Sequence, residues 1–215
     1  MEETASDLLR IVIKQVSPYR FLNRAIVRIA LDELLADETH ATFVSESLEK
    51  LGWQEAQVNR AINKCCLVSK SFHPSLVHET EIEIALRRII FFDHFRSPDE
   101  QLQAHRAALA SYETFWAAGD KRREIYFERY WHSLEILRLD ESISAEEGRL
   151  LLISLFHEYH RSDPESAGFI INGLFHSDHL YSEEVRRAER DVGVAKGISV
   201  EFFEELHQLK NIQAA

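Results

Sequence analysis

The chain of 215 residues is poor in residues that make turns or cross-links, with only seven glycines, four prolines and two cysteines. Scarce glycine and proline leave little turn chemistry for an all-β fold, which needs many tight turns. The cysteines are the neighbours Cys65 and Cys66. A bridge between adjacent residues is strained and could not staple a chain of this size, so we expect reduced thiols, as in a cytosolic protein.

Membrane and catalytic signals are also missing. No apolar run approaches the ~20 residues that span a bilayer, so no membrane partner is expected. The chain opens with the acidic Met1-Glu2-Glu3-Thr4 rather than with a basic and then apolar secretion signal, which favours a cytoplasmic location. The motifs Gly-x-Ser-x-Gly, Gly-x-x-x-x-Gly-Lys and His-Glu-x-x-His are absent, which argues against the chemistries that they support.

Acidic residues are abundant. Asp and Glu number 36 against 25 Lys and Arg, giving a formal net charge of −11. This sign opposes nucleic-acid phosphates and anionic membranes, and favours a basic protein partner or serves solubility alone. The basic clusters Arg87-Arg88, Lys121-Arg122-Arg123 and Arg186-Arg187 are separated by acids and form no continuous phosphate track, so no nucleic-acid partner is expected.

Helical periodicity runs through nearly the whole chain, punctuated by helix starts. Ser97-Pro98-Asp99-Glu100 combines an N-cap serine, a proline at the first helical position and a glutamate at the third, and Ser144–Glu147 is a second capping box. No stretch alternates apolar and polar residues long enough to predict a strand. The sequence predicts an all-α fold of about eleven short-to-medium helices packed as a multi-helix bundle.

The segment 69–75, with Phe72-His73-Pro74, is the best candidate for a domain boundary. It would separate an N-terminal helical subdomain, residues 1–70, from a C-terminal helical bundle, residues 75–215. A single domain is the alternative, because no low-complexity linker accompanies the boundary.

Part of the N-terminal region resembles a known family. The segment Arg28–Glu38 contains an acidic Ala-Leu-x-x-Leu helix pattern. It is followed by a Leu-x-x-x-Gly unit within Ser47–Trp53 and by a further helix pattern at Val58–Ile62. Over about residues 24–72 this is similar to a small all-α bacterial domain family of unknown function. The resemblance implies a helical fold and a bacterial origin, and it implies no activity.

Two copies of Leu-Phe-His-x-x-His, at residues 155–160 and 174–179, provide the first candidate metal ligands. Histidines at i and i+3 on a helix can share a metal, and two pairs would supply four nitrogens. The helical wheel instead turns the first histidine of each pair about 160° or more from the apolar face. Because both pairs fall in a last helical turn, we favour helix-end capping over a metal site or a contact surface. The four candidate ligands are His157, His160, His176 and His179.

A second candidate lies within residues 121–138. Glu128, His132 and Glu135 follow the spacing i, i+4 and i+7 and share one stripe, which in a helical bundle could hold iron or another divalent metal. The stripe sits about 100° from the apolar face of that helix, so we favour a solvated flank with weak i,i+4 pairing. No cofactor is expected otherwise.

Acidic clusters provide candidate partner-binding residues, namely Glu79, Glu81 and Glu83 and, near the C-terminus, Glu201, Glu204 and Glu205. Taken together, these features predict a non-catalytic acidic protein-binding module, such as a bacterial immunity or inhibitor protein that covers a basic toxin. Two alternatives remain open: a metal-dependent helical-bundle enzyme that uses the histidine and glutamate candidates, and a helical-repeat scaffold.

Overall fold

The computed structural model describes residues 2–64, 68–69, 80–82, 84–162 and 180–208. Within these ranges it contains ten α-helices and three short β-strands. The predicted all-α, multi-helix fold is confirmed, with ten described helices against the eleven or so expected. The chain forms two compact units, residues 1–96 (unit 1) and 97–215 (unit 2). Of the boundary predicted at residues 69–75, Ser69 lies in a short strand, and residues 70–75 lie outside the described residues.

Unit 1 contains five described helices, of which the first four bury apolar residues that recur at helical spacing. Their bounds are α1 Glu2–Gln15, α2 Arg24–Ala36, α3 Ala41–Leu51, α4 Glu55–Lys64 and α5 Ile84–His94. Spacings of three and four residues place one side of each amphipathic helix against its neighbours. The resulting core includes Leu8, Val12, Val27, Ala30, Leu34, Val44, Val58 and Ile62.

Local sequence explains where α2 begins and α3 ends. The side chain of Asn23 accepts a hydrogen bond from the backbone N–H of Ile26, 3.0 Å away, and so satisfies a donor that the first turn leaves open. Gly52 follows α3 with φ of 62°, a left-handed conformation that glycine adopts without strain. Both signals act within a few residues of the helix end.

A small antiparallel sheet in unit 1 was not expected. The strands β1 Phe21–Leu22, β2 Val68–Ser69 and β3 Thr80–Ile82 pair in the order β1-β3-β2. Phe21 lies opposite Glu81, and Val68 lies opposite Ile82. The sequence predicts no strand, and this is wrong for these three segments, because such short pairings leave no alternating pattern to detect.

Unit 2 is built around one helix that is buried on most sides. Its described helices are α6 Pro98–Ala117, α7 Arg123–Leu139, α8 Ala145–Ser162, α9 Leu180–Lys196 and α10 Val200–Gln208. Every residue of α7 from Ile125 to Leu137 is buried, and α6, α8 and α9 pack against it. Because α7 also carries charged residues, these must find partners inside the unit.

The described helices do not include a membrane span. None of the helices in these ranges has both the length and the apolar composition that a bilayer-spanning helix requires.

Candidate functional site

The central helix α7 buries the polar residues that the sequence places on a solvated flank. Glu128 and His132 are fully buried, and Glu135 is 9% exposed. The solvated-flank interpretation is therefore wrong. A helical wheel gives the angle of a side chain around its helix, but it does not show how many neighbouring helices surround that helix. With α6, α8 and α9 around α7, positions about 100° from the apolar face are buried as well.

His132 is the centre of a buried polar array between α6 and α7. Its Nδ1 lies 3.0 Å from Nδ1 of His105, and its Nε2 lies 3.7 Å from Oε2 of Glu128. Tyr112 and Trp131 border the two imidazoles, with ring centroids 5.7 Å from His132 and 5.2 Å from His105. Two ring nitrogens at 3.0 Å form a hydrogen bond when one imidazole donates and the other accepts. This contact ties α6 to α7.

The array does not have the arrangement of a metal site. A metal needs several donor atoms that converge on one point, whereas His105 and Glu128 face opposite nitrogens of the His132 ring. Glu135 is engaged elsewhere, with Oε2 2.8 Å from Arg138 Nη2. Across the described residues as a whole, no group of three or more His, Cys, Asp or Glu side chains is arranged to hold a metal ion.

The two histidine pairs are only partly placed by the structure. His157 lies near the end of α8 with its side chain partly exposed, and its carbonyl oxygen accepts a hydrogen bond of 3.3 Å from Arg161 Nε. His176, His179 and the side chain of His160 lie outside the described residues. The inward face of α8 consists of the buried residues Leu152, Leu155, Phe156 and Tyr159, whereas Leu151 is 38% exposed.

The helix-end interpretation of the histidines leads to a measurement on the purified protein. If His157 and His176 act as surface or capping groups, the protein should hold no stoichiometric metal by elemental analysis. The double variant His157→Gln/His176→Gln should then cost less than ~1 kcal/mol of unfolding free energy, the scale of exposed helix-end effects. One equivalent of tightly bound zinc or iron that is lost in this variant would contradict the interpretation.

A second polar cluster joins α6, α7 and α8 around Arg129, whose side chain is 3% exposed. Its Nε and Nη2 donate to the two carboxylate oxygens of Glu113, each at 2.9 Å. Nη2 also donates to Oε2 of Glu158 at 2.6 Å, while Trp116 Nε1 donates to Oε1 of Glu158 at 2.7 Å. The guanidinium lies 4.5 Å from the centroid of the Trp116 ring, within cation–π range. Arg129 therefore interacts with three side chains from two neighbouring helices.

The pKa of Glu158 reflects this competition between burial and charge. Partial burial opposes its ionisation, but the hydrogen bond and the positive charge of Arg129, together with the hydrogen bond from Trp116, outweigh burial and hold the pKa below its ordinary value. Glu158 is thus ionised at neutral pH and serves as a counter-ion for a buried arginine. The cluster is suited to holding helices together.

A third cluster attaches the C-terminal helix α10 to the rest of unit 2. Oε1 of Glu189 on α9 accepts a hydrogen bond from the Tyr130 hydroxyl at 2.7 Å and lies 2.8 Å from Nε2 of His207 on α10. Burial, followed by the negative charge of Glu189, raises the pKa of Tyr130 well above its ordinary value, so the phenol stays protonated and donates. This contact, with the buried Phe203 and Leu206, fixes which side of α10 faces inward.

The opposite side of α10 is acidic. Glu201, Glu204 and Glu205 are all exposed and follow the spacing i, i+3 and i+4, so they share one face of the helix. We call these three residues the acidic stripe. Hydrogen bonds from its own backbone N–H and from Ser199 lower the pKa of Glu201, which keeps it charged. The other predicted acidic cluster cannot be compared with the stripe. The backbone of Glu81 lies in β3, whereas Glu79, Glu83 and the side chain of Glu81 lie outside the described residues.

In comparisons with known proteins, no family model, no curated protein and no solved structure matches the chain. The resemblance of residues 24–72 to a bacterial helical family therefore stays a prediction. Functional argument rests on the surfaces and clusters of the chain itself.

The described clusters differ in what they can do. His105, Glu128 and His132 are at most 2% exposed, so a substrate cannot reach them without an opening of the helices. The Arg129 cluster and Glu189 form ion pairs and hydrogen bonds that cross from helix to helix. The acidic stripe is charged and accessible to a second molecule, which makes it the best-placed candidate for a functional surface.

Proposed function

We propose that the protein is a non-catalytic binding module that docks a basic partner protein, and that the acidic stripe on α10 is part of the docking surface. In its most concrete form the proposal is a cytoplasmic bacterial immunity or inhibitor protein that covers a basic toxin. That form is supported by the net charge of −11 and by the helical fold.

The observation that carries the proposal is the state of the acidic stripe. No Lys or Arg within the described ranges forms an ion pair with Glu201, Glu204 or Glu205, although ion pairs occur along α1, α2, α7, α8 and α9. Like charges three and four residues apart on a helix repel by roughly 0.2–0.5 kcal/mol per pair. A partner that supplies Lys or Arg would remove this repulsion and add long-range attraction.

The metal-dependent enzyme is the weaker alternative. Its candidate residues Glu128 and His132 are fully buried, and Glu135 is paired with Arg138 instead of facing them. A catalytic metal needs an open coordination position that a substrate can reach. The helical-repeat scaffold has no specific contact in its favour and stays a prediction.

Charge reversal tests the proposal directly. The variant Glu201→Lys/Glu204→Lys/Glu205→Lys is expected to lower the association rate with the partner about ten-fold at low salt, because steering charges accelerate encounter. Raising the ionic strength should slow the wild-type protein toward the variant, since exposed charges are screened beyond ~8 Å at physiological salt. The partner is first captured from the source cell, and stopped-flow or surface-based kinetics then measure the rates.

A matched control separates the stripe from overall charge. Reversal of Glu38, Glu46 and Glu49, which are exposed in unit 1, gives a variant of identical net charge that should bind nearly as fast as wild type. Reversal of Glu79, Glu81 and Glu83 tests the other predicted cluster in the same assay. Salt-independent association that no reversal changes would refute the electrostatic proposal, and tight binding to duplex DNA would refute the partner class.

A further inference from the structure

Two exposed valines flank the turn that connects α9 to α10, the helix that carries the acidic stripe. Val194, in the last turn of α9, is 88% exposed, and Val200, the first residue of α10, is 61% exposed. Between them the chain turns at Gly197, whose φ is 68°, and buries Ile198. Full burial of a valine side chain contributes about 1.5–3 kcal/mol, so this turn presents apolar surface that a partner could still bury.

The turn is held in place by contacts with the rest of unit 2. Lys196 Nζ donates to the backbone oxygens of Asp140 at 2.6 Å and Ile143 at 2.8 Å. On the other side of the turn, the guanidinium of Arg149 on α8 lies 5.7 Å from the ring centroid of Phe202 on α10. A surface whose geometry is already fixed loses little conformational entropy when a partner binds.

The charges around the valines are mainly negative. Asp191 is exposed one turn before Val194 on α9, and the acidic stripe begins directly after Val200 on α10. One basic residue, Arg190, is also exposed on this turn of α9. We call Asp191, Val194, Val200 and the acidic stripe the hairpin face. Its pattern, a short apolar contact bordered by carboxylates, is complementary to a helix with one apolar side and basic flanks.

Charge also excludes two other occupants. A second copy of the chain docked through the same face about a two-fold axis would bring identical carboxylates together, which costs binding energy. A nucleic acid would bring phosphates to the same carboxylates. A basic amphipathic helix meets neither obstacle.

We propose that the hairpin face binds a basic amphipathic helix of the partner protein, with Val194 and Val200 as its apolar contacts. This inference rests on the proposed function and names the surface and the chemical form of the partner. Lys or Arg side chains of that helix would pair with the stripe, while its apolar side covers the two valines.

Synthetic peptides test the inference on the full-length chain. One peptide repeats leucines at helical spacing among lysines, and a second has the same composition in an order without an apolar side. Fluorescence anisotropy of the labelled peptides gives both affinities. The wild-type protein is expected to bind the amphipathic peptide about ten-fold more tightly than the scrambled one, the effect of burying roughly one valine.

Two variants separate the apolar from the charged contribution. Val194→Ser/Val200→Ser should abolish the preference for the amphipathic peptide and leave binding of the scrambled peptide unchanged. Glu201→Gln/Glu204→Gln/Glu205→Gln should weaken binding of both peptides. The control Ile89→Ser/Leu150→Ser removes two exposed apolar residues elsewhere and should keep the wild-type preference. Circular dichroism confirms that each variant is folded.

The possible results distinguish the two proposals. If the preference persists in Val194→Ser/Val200→Ser, the hairpin face is not the apolar contact and this inference is overturned, while the proposed function stands. If the glutamine variant binds both peptides as tightly as wild type does, the proposed function fails together with the inference. Loss of the preference in the valine variant alone supports the hairpin face.

Discussion

Neutralising the two carboxylates around Arg129 is expected to destabilise unit 2 more than removing Arg129 itself. The guanidinium is 3% exposed, whereas the side chains of Glu113 and Glu158 are 45% and 42% exposed. In Glu113→Gln/Glu158→Gln the arginine keeps its charge in the interior without a counter-ion, at a cost of about 3 kcal/mol. In Arg129→Met the partly exposed carboxylates become solvated, and the methionine fills much of the space of the arginine. We therefore expect this variant to lose about 1–2 kcal/mol of unfolding free energy.

Tryptophan fluorescence during urea unfolding can measure this difference. Of the three tryptophans, Trp53 lies in unit 1 and Trp116 and Trp131 lie in unit 2, so a Trp53→Phe background reports on unit 2 alone. Glu146→Gln, at an exposed position on α8, is the control and should change stability by less than about 0.5 kcal/mol. A larger loss in Arg129→Met than in the double glutamine variant would contradict the explanation, because packing around Arg129 would then outweigh its charge.

The variant His132→Ala is expected to lose about 3 kcal/mol of unfolding free energy. The imidazole is fully buried and lies 3.0 Å from His105, so its removal leaves a cavity and takes a hydrogen-bond partner from a buried ring. His132→Phe should recover part of the loss, since it restores volume without the polar contact. His157→Gln, at a partly exposed position on α8, should cost less than ~1 kcal/mol.

A double-mutant cycle with His105→Ala separates the histidine contact from the cavity. The two substitutions should be non-additive by about 1 kcal/mol, the scale of one hydrogen bond between neighbouring side chains. Additive losses would show that the 3.0 Å contact contributes little. Loss of partner binding by His132→Ala at unchanged stability would be a different outcome, and it would assign the array a functional role in place of the structural one.

Helix starts and the acidic stripe could be predicted from the sequence because they depend on neighbours within one or two turns. Ser97 Oγ accepts from the backbone N–H of Glu100, whose carboxylate accepts from the N–H of Ser97 in return. Ser144 and Glu147 form the same reciprocal pair. The spacing of Glu201, Glu204 and Glu205 likewise places them on one face of any helix that contains them.

The contacts of α7 were decided only by the tertiary structure. His132 meets His105 across 27 positions, Arg129 meets Glu158 across 29, and Tyr130 meets Glu189 across 59. Nothing in the spacing of α7 identifies these partners, because each lies on a separate helix whose register is set by packing. The strand pairs of residues 21–22 with 80–81 are non-local in the same way.

The sequence by itself therefore determined the helical class, the two capping-box helix starts and the acidic face of α10, because these depend on local hydrogen bonds and on the 3.6-residue period of short segments. The packing of α6, α8 and α9 around α7 decided which charged residues became buried. Burial then decided their roles, because a charge without water needs a partner from another helix. For this reason Glu128, His132 and Arg129 lie inside the helical packing, and the acidic stripe, which no helix covers among the described residues, is the candidate binding surface.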